Sequence, residues 1–99
     1  MLSDPFFSLT VRYSDRGTVV TVAGELDVAT APELARALAD ADGQVTVDLS
    51  ATTFADPAAL RVLLAAHADG VRIRVLPRRG SPVARLLALT HTEELLGLA

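Results

Sequence analysis

Thr53-Phe54-Ala55-Asp56-Pro57-Ala58-Ala59-Leu60-Arg61-Val62-Leu63-Leu64 holds a helix start that can be read without its surroundings. Asp56 is a residue type that caps helix N-termini through its side-chain oxygen. Pro57 suits the first helical position, where a missing N–H is harmless. A helix over about 57–69 is predicted. Leu60, Leu63, Leu64 and His67 recur at i, i+3, i+4 and i+7, so they are expected to face the core. The opposite side carries Ala58, Val62, Ala65 and Asp69, with Arg61 beside them. A small, mostly apolar strip rimmed by charge suits contact with another protein. The plainer reading is that alanine is abundant here and favours helices.

Upstream of that helix, Gln44 to Leu49 reads as a strand, with Val45, Val47 and Leu49 in step. Ser50 to Ala55 is predicted to be the loop between the two. Nearer the start, Phe7, Leu9, Val11 and Tyr13 alternate with Ser8, Thr10 and Arg12, the pattern of a half-buried strand. Ser14-Asp15-Arg16-Gly17 reads as a tight turn. Thr18 to Ala23 then forms the second strand of a hairpin. Gly24 to Ala29 breaks the pattern, placing Glu25 and Asp27 in a loop. Thr30 and Glu33 have the spacing of a capping box, with Pro32 in the first turn. The helix they open carries Leu34, Leu38 and Ala41 inward and Arg36 among acids on its wet side.

Downstream, Val71, Ile73 and Val75 alternate with Arg72 and Arg74 in a fourth strand, and Pro77 to Gly80 is a loop. Ser81-Pro82 starts a helix carrying Val83, Leu86 and Leu87, and a last short helix is predicted from Thr92 to about Leu98. A hairpin followed by alternating helix and strand predicts an α/β domain. Its single mixed sheet would have about four to five strands, covered by about three to four helices.

Ninety-nine residues suit one domain spanning 1–99, and few aromatics mean an aliphatic core. A net charge of -3 argues against nucleic acid, which selects a basic face. The absence of cysteine excludes disulfides, thiol catalysis and cysteine-based metal sites. Met1 to Ser8 lacks the pattern of a secretion signal, and no apolar run is long enough to span a membrane, so a cytoplasmic protein is expected. His67 and His91 do not form a metal-binding spacing, and no Gly-x-Ser-x-Gly, Walker A or dinucleotide motif is present. No catalysis, cofactor or metal is expected.

Several stretches together resemble STAS domains of the bacterial anti-sigma factor antagonist type. Val20-Thr21-Val22-Ala23-Gly24-Glu25-Leu26-Asp27 is similar to the segment that ends the family's second strand, and Thr30-Ala31-Pro32-Glu33-Leu34 to its capped first helix. Val45 to Ser50 resembles the strand feeding its phosphorylation loop, and Ser81 to Thr90 its third helix. Asp56 and Leu60 match the signature Asp-Ser-Ser/Thr-Gly-Leu, whereas Pro57, Ala58 and Ala59 depart from it. His91 stands where such domains often have Gly.

The resemblance implies a STAS fold and a kinase-type anti-sigma factor as protein partner. It also implies a phosphate acceptor at the position held by Ala58, which has no oxygen to accept one. Ser50, Thr52 and Thr53 are the nearest hydroxyls, although turn and cap bonds account for such residues. The partner-binding candidates are Glu25, Asp27, Thr53, Asp56, Pro57, Ala58, Arg61, Val62 and Ala65. For Asp27, bonding to its own turn is an equal alternative. A stand-alone STAS subunit of an ABC transporter, or a scaffold piece in a signalling assembly, is the other functional reading. The oligomeric state is open between monomer and homodimer.

Overall fold

A computed structural model describes residues 6–41 and 43–89. His91 and the helix expected from Thr92 lie outside the described residues. The chain runs β1 (Phe7–Ser14), β2 (Gly17–Leu26), α1 (Ala31–Asp40), β3 (Gln44–Ala55), α2 (Pro57–Ala68), β4 (Arg72–Pro77) and α3 (Pro82–Leu89). The four strands form one sheet in the order β1-β2-β3-β4. β1 and β2 are an antiparallel hairpin, while β2, β3 and β4 are parallel, so α1 and α2 serve as the crossovers parallel pairing requires.

The hairpin turn follows from its residues. Ser14 Oγ accepts from Arg16 N–H at 3.2 Å. Gly17 takes a φ of 123°, and a side chain there would overlap the carbonyl of Gln44 in the neighbouring strand.

Period-2 alternation divides the sheet into two faces. Val20, Val22, Val45, Val47, Leu49, Ile73 and Val75 point to the face where Leu34, Leu38, Ala59, Leu60, Leu63, Val83 and Leu87 arrive from the helices. This is the aliphatic core that the composition requires. The other face carries Thr10, Arg12, Thr21, Thr46, Arg72 and Arg74, and among the described residues no helix covers it. No helix among them is long and apolar enough to cross a membrane.

Four expectations are corrected. Ser50 to Ala55 is strand, not loop: β3 continues to Ala55, and β2 extends beyond Ala23 to Leu26 to pair with it. Two register irregularities, between Thr21 and Ala23 and between Gly24 and Glu25, absorb the mismatch that the sequence pattern reads as a break. His67 is exposed rather than in the core. The fully buried positions of α2, Ala59, Leu60 and Leu63, all lie in its first two turns; His67 shares the angle of Leu60 but sits in the last turn, past the covered part of the helix.

Thr30 precedes α1 but makes no side-chain cap bond, because its hydroxyl is turned back into the preceding loop. The hairpin is also half-buried only at one end. Phe7 and Leu9 pack on the core, whereas Val11 and Tyr13 are 36% and 69% exposed.

Candidate functional site

The ends of β2 and β3 and the start of α2 converge. Asp56 N–H donates to the Leu26 carbonyl at 3.1 Å, tying one strand end to the residue that opens α2. The Asp56 carboxylate accepts from Ala58 N–H at 2.7 Å, which is the predicted N-cap. Pro57 is exposed at the first helical position, and the Ala58 methyl is half-buried behind it.

Asp27 organises the adjoining turn. Its carboxylate accepts from Ala29 N–H at 3.0 Å and Thr30 N–H at 3.1 Å, and its carbonyl accepts from Ala31 N–H at 2.8 Å. Thr30 Oγ1 accepts from Asp27 N–H at 2.9 Å and donates to the Glu25 carbonyl at 3.0 Å. The expected capping box is therefore replaced by Asp27, which satisfies the open N–H groups ahead of α1.

Gly24 allows β1 to start against this corner. Its φ is 91°, and a Cβ there would overlap the Phe6 carbonyl, which accepts from Glu25 N–H at 2.6 Å. Thr53 and Glu25 share a recess of about 330 Å³ with Phe6, Phe7, Ser8, Ala23 and Gly24. Both side chains are exposed there. The other two hydroxyls are placed differently. Thr52 is 2% exposed and donates to the Val22 carbonyl at 3.1 Å, while Ser50 is exposed and donates to Asp48 at 2.7 Å.

The nine candidate residues fall into two groups. Glu25, Asp27, Thr53, Asp56, Pro57 and Ala58 surround the converging strand ends. Arg61, Val62 and Ala65 instead line a groove of about 310 Å³ between α1 and α2, with Asp69, Leu38 and Ala39. Val62 is half-buried against the core, so this strip faces α1 and does not simply point to solvent.

Sequence reasoning missed two side chains. Val28 is 69% and Phe54 48% exposed, and each lies within two residues of the Leu26–Asp56 hydrogen bond. In a core built from Leu, Val and Ala, an aromatic outside the core is the signal that could have marked Phe54. Phe54 lies across the strand pair from Glu25, and Val28 follows Asp27 in the chain. Exposed apolar area with polar groups near it suits docking of another protein. Among the described residues no three His, Cys, Asp or Glu side chains cluster as metal ligands.

Comparison with known proteins places this corner in context. The family described as "Mlab, STAS domain" matches residues 9–97. An anti-sigma factor antagonist from Mycobacterium paratuberculosis is similar in structure, with a TM-score of 0.79 and 32% identity, over 94% of this chain and 86% of that one. The STAS domain of an antisigma-factor antagonist from Rhodobacter sphaeroides shares the fold at a TM-score of 0.58 and 23% identity, over 75% of this chain and 89% of that one. Among curated proteins no match is found.

Proposed function

Because the chain belongs to the STAS domain family, we propose that it is a non-catalytic regulator that captures a kinase-type anti-sigma factor in the cytoplasm, without the usual phosphate switch. The contact surface is the corner formed by Glu25, Asp27, Val28, Thr53, Phe54, Asp56, Pro57 and Ala58. Arg61, Val62 and Ala65 extend it along α2. Similarity to an antagonist over nearly the whole chain supports the class of partner.

One observation carries the missing switch. The first turn of α2 presents a methyl at residue 58 where a hydroxyl would be needed, and Asp56 already bonds the N–H of that residue. A phosphate in this turn would sit among open backbone N–H groups, so its own site would tolerate it. Its effect would fall on the partner. Roughly two negative charges beside Glu25, Asp27 and Asp56 would oppose docking of an apolar or acidic face. With Ala58 that repulsion never arises, and capture persists.

Phosphate transfer tests this directly. With ATP and a kinase-type anti-sigma factor from its own genome, the wild-type chain is expected to take no phosphate. The double variant Pro57→Ser, Ala58→Ser is expected to gain one at residue 58, read by mass spectrometry. Phosphate on Ser50 or Thr53 of the wild-type chain would overturn the reading.

A further inference from the structure

The two edges of the sheet are built differently. β4 is six residues long, carries Arg72 and Arg74, and ends in Pro77. Short length, charge and proline are the features that keep an edge strand from pairing with another chain. β1 has none of these in the same measure. Its eight residues, Phe-Ser-Leu-Thr-Val-Arg-Tyr-Ser, contain no proline and a single charge, Arg12. Among the described residues no strand lies beyond it.

The hairpin fixes which backbone groups this edge offers. Ser14 pairs with Gly17 across the two-residue turn, and Phe6 C=O accepts from Glu25 N–H at the other end. Hydrogen-bonded positions alternate along an antiparallel ladder, so Ser8, Thr10, Arg12 and Ser14 turn their backbone groups toward β2. The N–H and C=O of Phe7, Leu9, Val11 and Tyr13 point outward. The side chains of these four lie on the helix-bearing face, where Val11 and Tyr13 are left exposed.

We propose that the β1 edge is a docking surface for a second copy of this chain, paired antiparallel about a two-fold axis at Thr10. In that register Phe7 faces the partner's Tyr13, Leu9 faces the partner's Val11, Ser8 faces the partner's Arg12, and Thr10 meets its own copy. Every outward backbone group from Phe7 to Tyr13 gains a partner. Apolar side chains oppose apolar ones, and the two arginines are kept apart. An axis at Arg12 would set like charges opposite each other, which destabilises a strand pair.

An axis at Leu9 or Val11 leaves one end of the strand without a partner. Pairing odd-numbered residues with even ones would match outward backbone groups to inward ones. The dimer is a continuous eight-stranded sheet with both helix layers on one side. Strand pairing alone lies at the small end of specific interfaces, so the dimer is expected to dissociate on dilution. Nothing in this inference depends on which partner the α2 corner binds.

Sedimentation velocity of the full chain from micromolar to millimolar concentration tests it. The weight-average mass is expected to rise toward twice that of the monomer. Val11→Pro removes an outward N–H that the β1–β2 ladder does not use and is expected to hold the chain monomeric. Tyr13→Lys, at an exposed position, is expected to weaken association without disturbing the fold.

The register has its own readout, because the chain has no cysteine of its own. Thr10→Cys would place two thiols across a non-hydrogen-bonded pair with Cα atoms about 4.5 Å apart. That distance is within disulfide reach, so cross-linking on oxidation is expected. Ser8→Cys would place them about 13 Å apart along the strands and is expected to stay reduced. A wild-type chain that is monomeric at millimolar concentration would overturn the proposal. So would a dimer indifferent to both Val11→Pro and Tyr13→Lys, or equal cross-linking from the two cysteine variants.

Discussion

Asp27 and Asp56 each take up backbone N–H groups that would stand open ahead of a helix, but they do so differently. Asp56 makes a single N-cap bond to Ala58 N–H. Asp27 closes a whole turn, accepting from Ala29 and Thr30 through its carboxylate and from Ala31 through its carbonyl. Asp56→Ala is therefore expected to cost about 1 kcal/mol in urea unfolding. Asp27→Ala should cost more, about 2 kcal/mol, because two N–H groups lose their acceptor at once. Asp27→Asn keeps an acceptor oxygen and should recover most of that loss. His67→Ala serves as the control: an exposed imidazole predicts a change within about 0.5 kcal/mol. A loss as large as that of Asp27→Ala would return His67 to the core. The Thr30–Glu33 spacing suggests a cap at the right place, but the side chain that supplies it lies three residues earlier.

Among the elements, β3 differs most from expectation, and it shapes the site. Its Gln44–Leu49 half alternates cleanly and is legible, as are β4 and the helices α1, α2 and α3, whose prolines and leucine spacing agree, with the caps of α2 and α3. The Ser50–Ala55 half was not legible as strand, because polar and small residues there look like turn chemistry. Its pairing with β2 takes two register shifts, each inserting one residue on the β3 side, which a strict alternation pattern does not reveal. Thr52 anchors this stretch through its bond to the Val22 carbonyl. Thr52→Val keeps the shape and leaves a buried carbonyl without its donor, so about 1 kcal/mol of stability should be lost in chemical denaturation. A neutral outcome would argue for a loose loop. The same error hid Phe54, which reads as loop filler until the strand holds it outward opposite Glu25. Phe54→Ser should leave stability within about 0.5 kcal/mol, as for other surface changes. It should weaken capture of the anti-sigma factor by about 2 kcal/mol in titration calorimetry, the loss typical of an aromatic anchor.

Across the whole molecule, one covered sheet face carries the stability, and the converging strand ends carry the candidate contact surface. The family was legible from the order of several short motifs, none of which is decisive alone. Their departures at Pro57, Ala58 and Ala59 are equally plain in the sequence. The grouping of Arg61, Val62 and Ala65 with α1, apart from the strand ends, was not legible, because it depends on how two helices pack. The proposed function is capture of a kinase without a phosphate switch. Its most direct test is binding of the purified chain to the kinase-type anti-sigma factors of its own genome, once with ADP and once with ATP. Tight binding to one of them that persists with ATP, with no phosphate on the chain, is the predicted result. Binding that is lost with ATP as phosphate appears, or no binding to any of them, would contradict it.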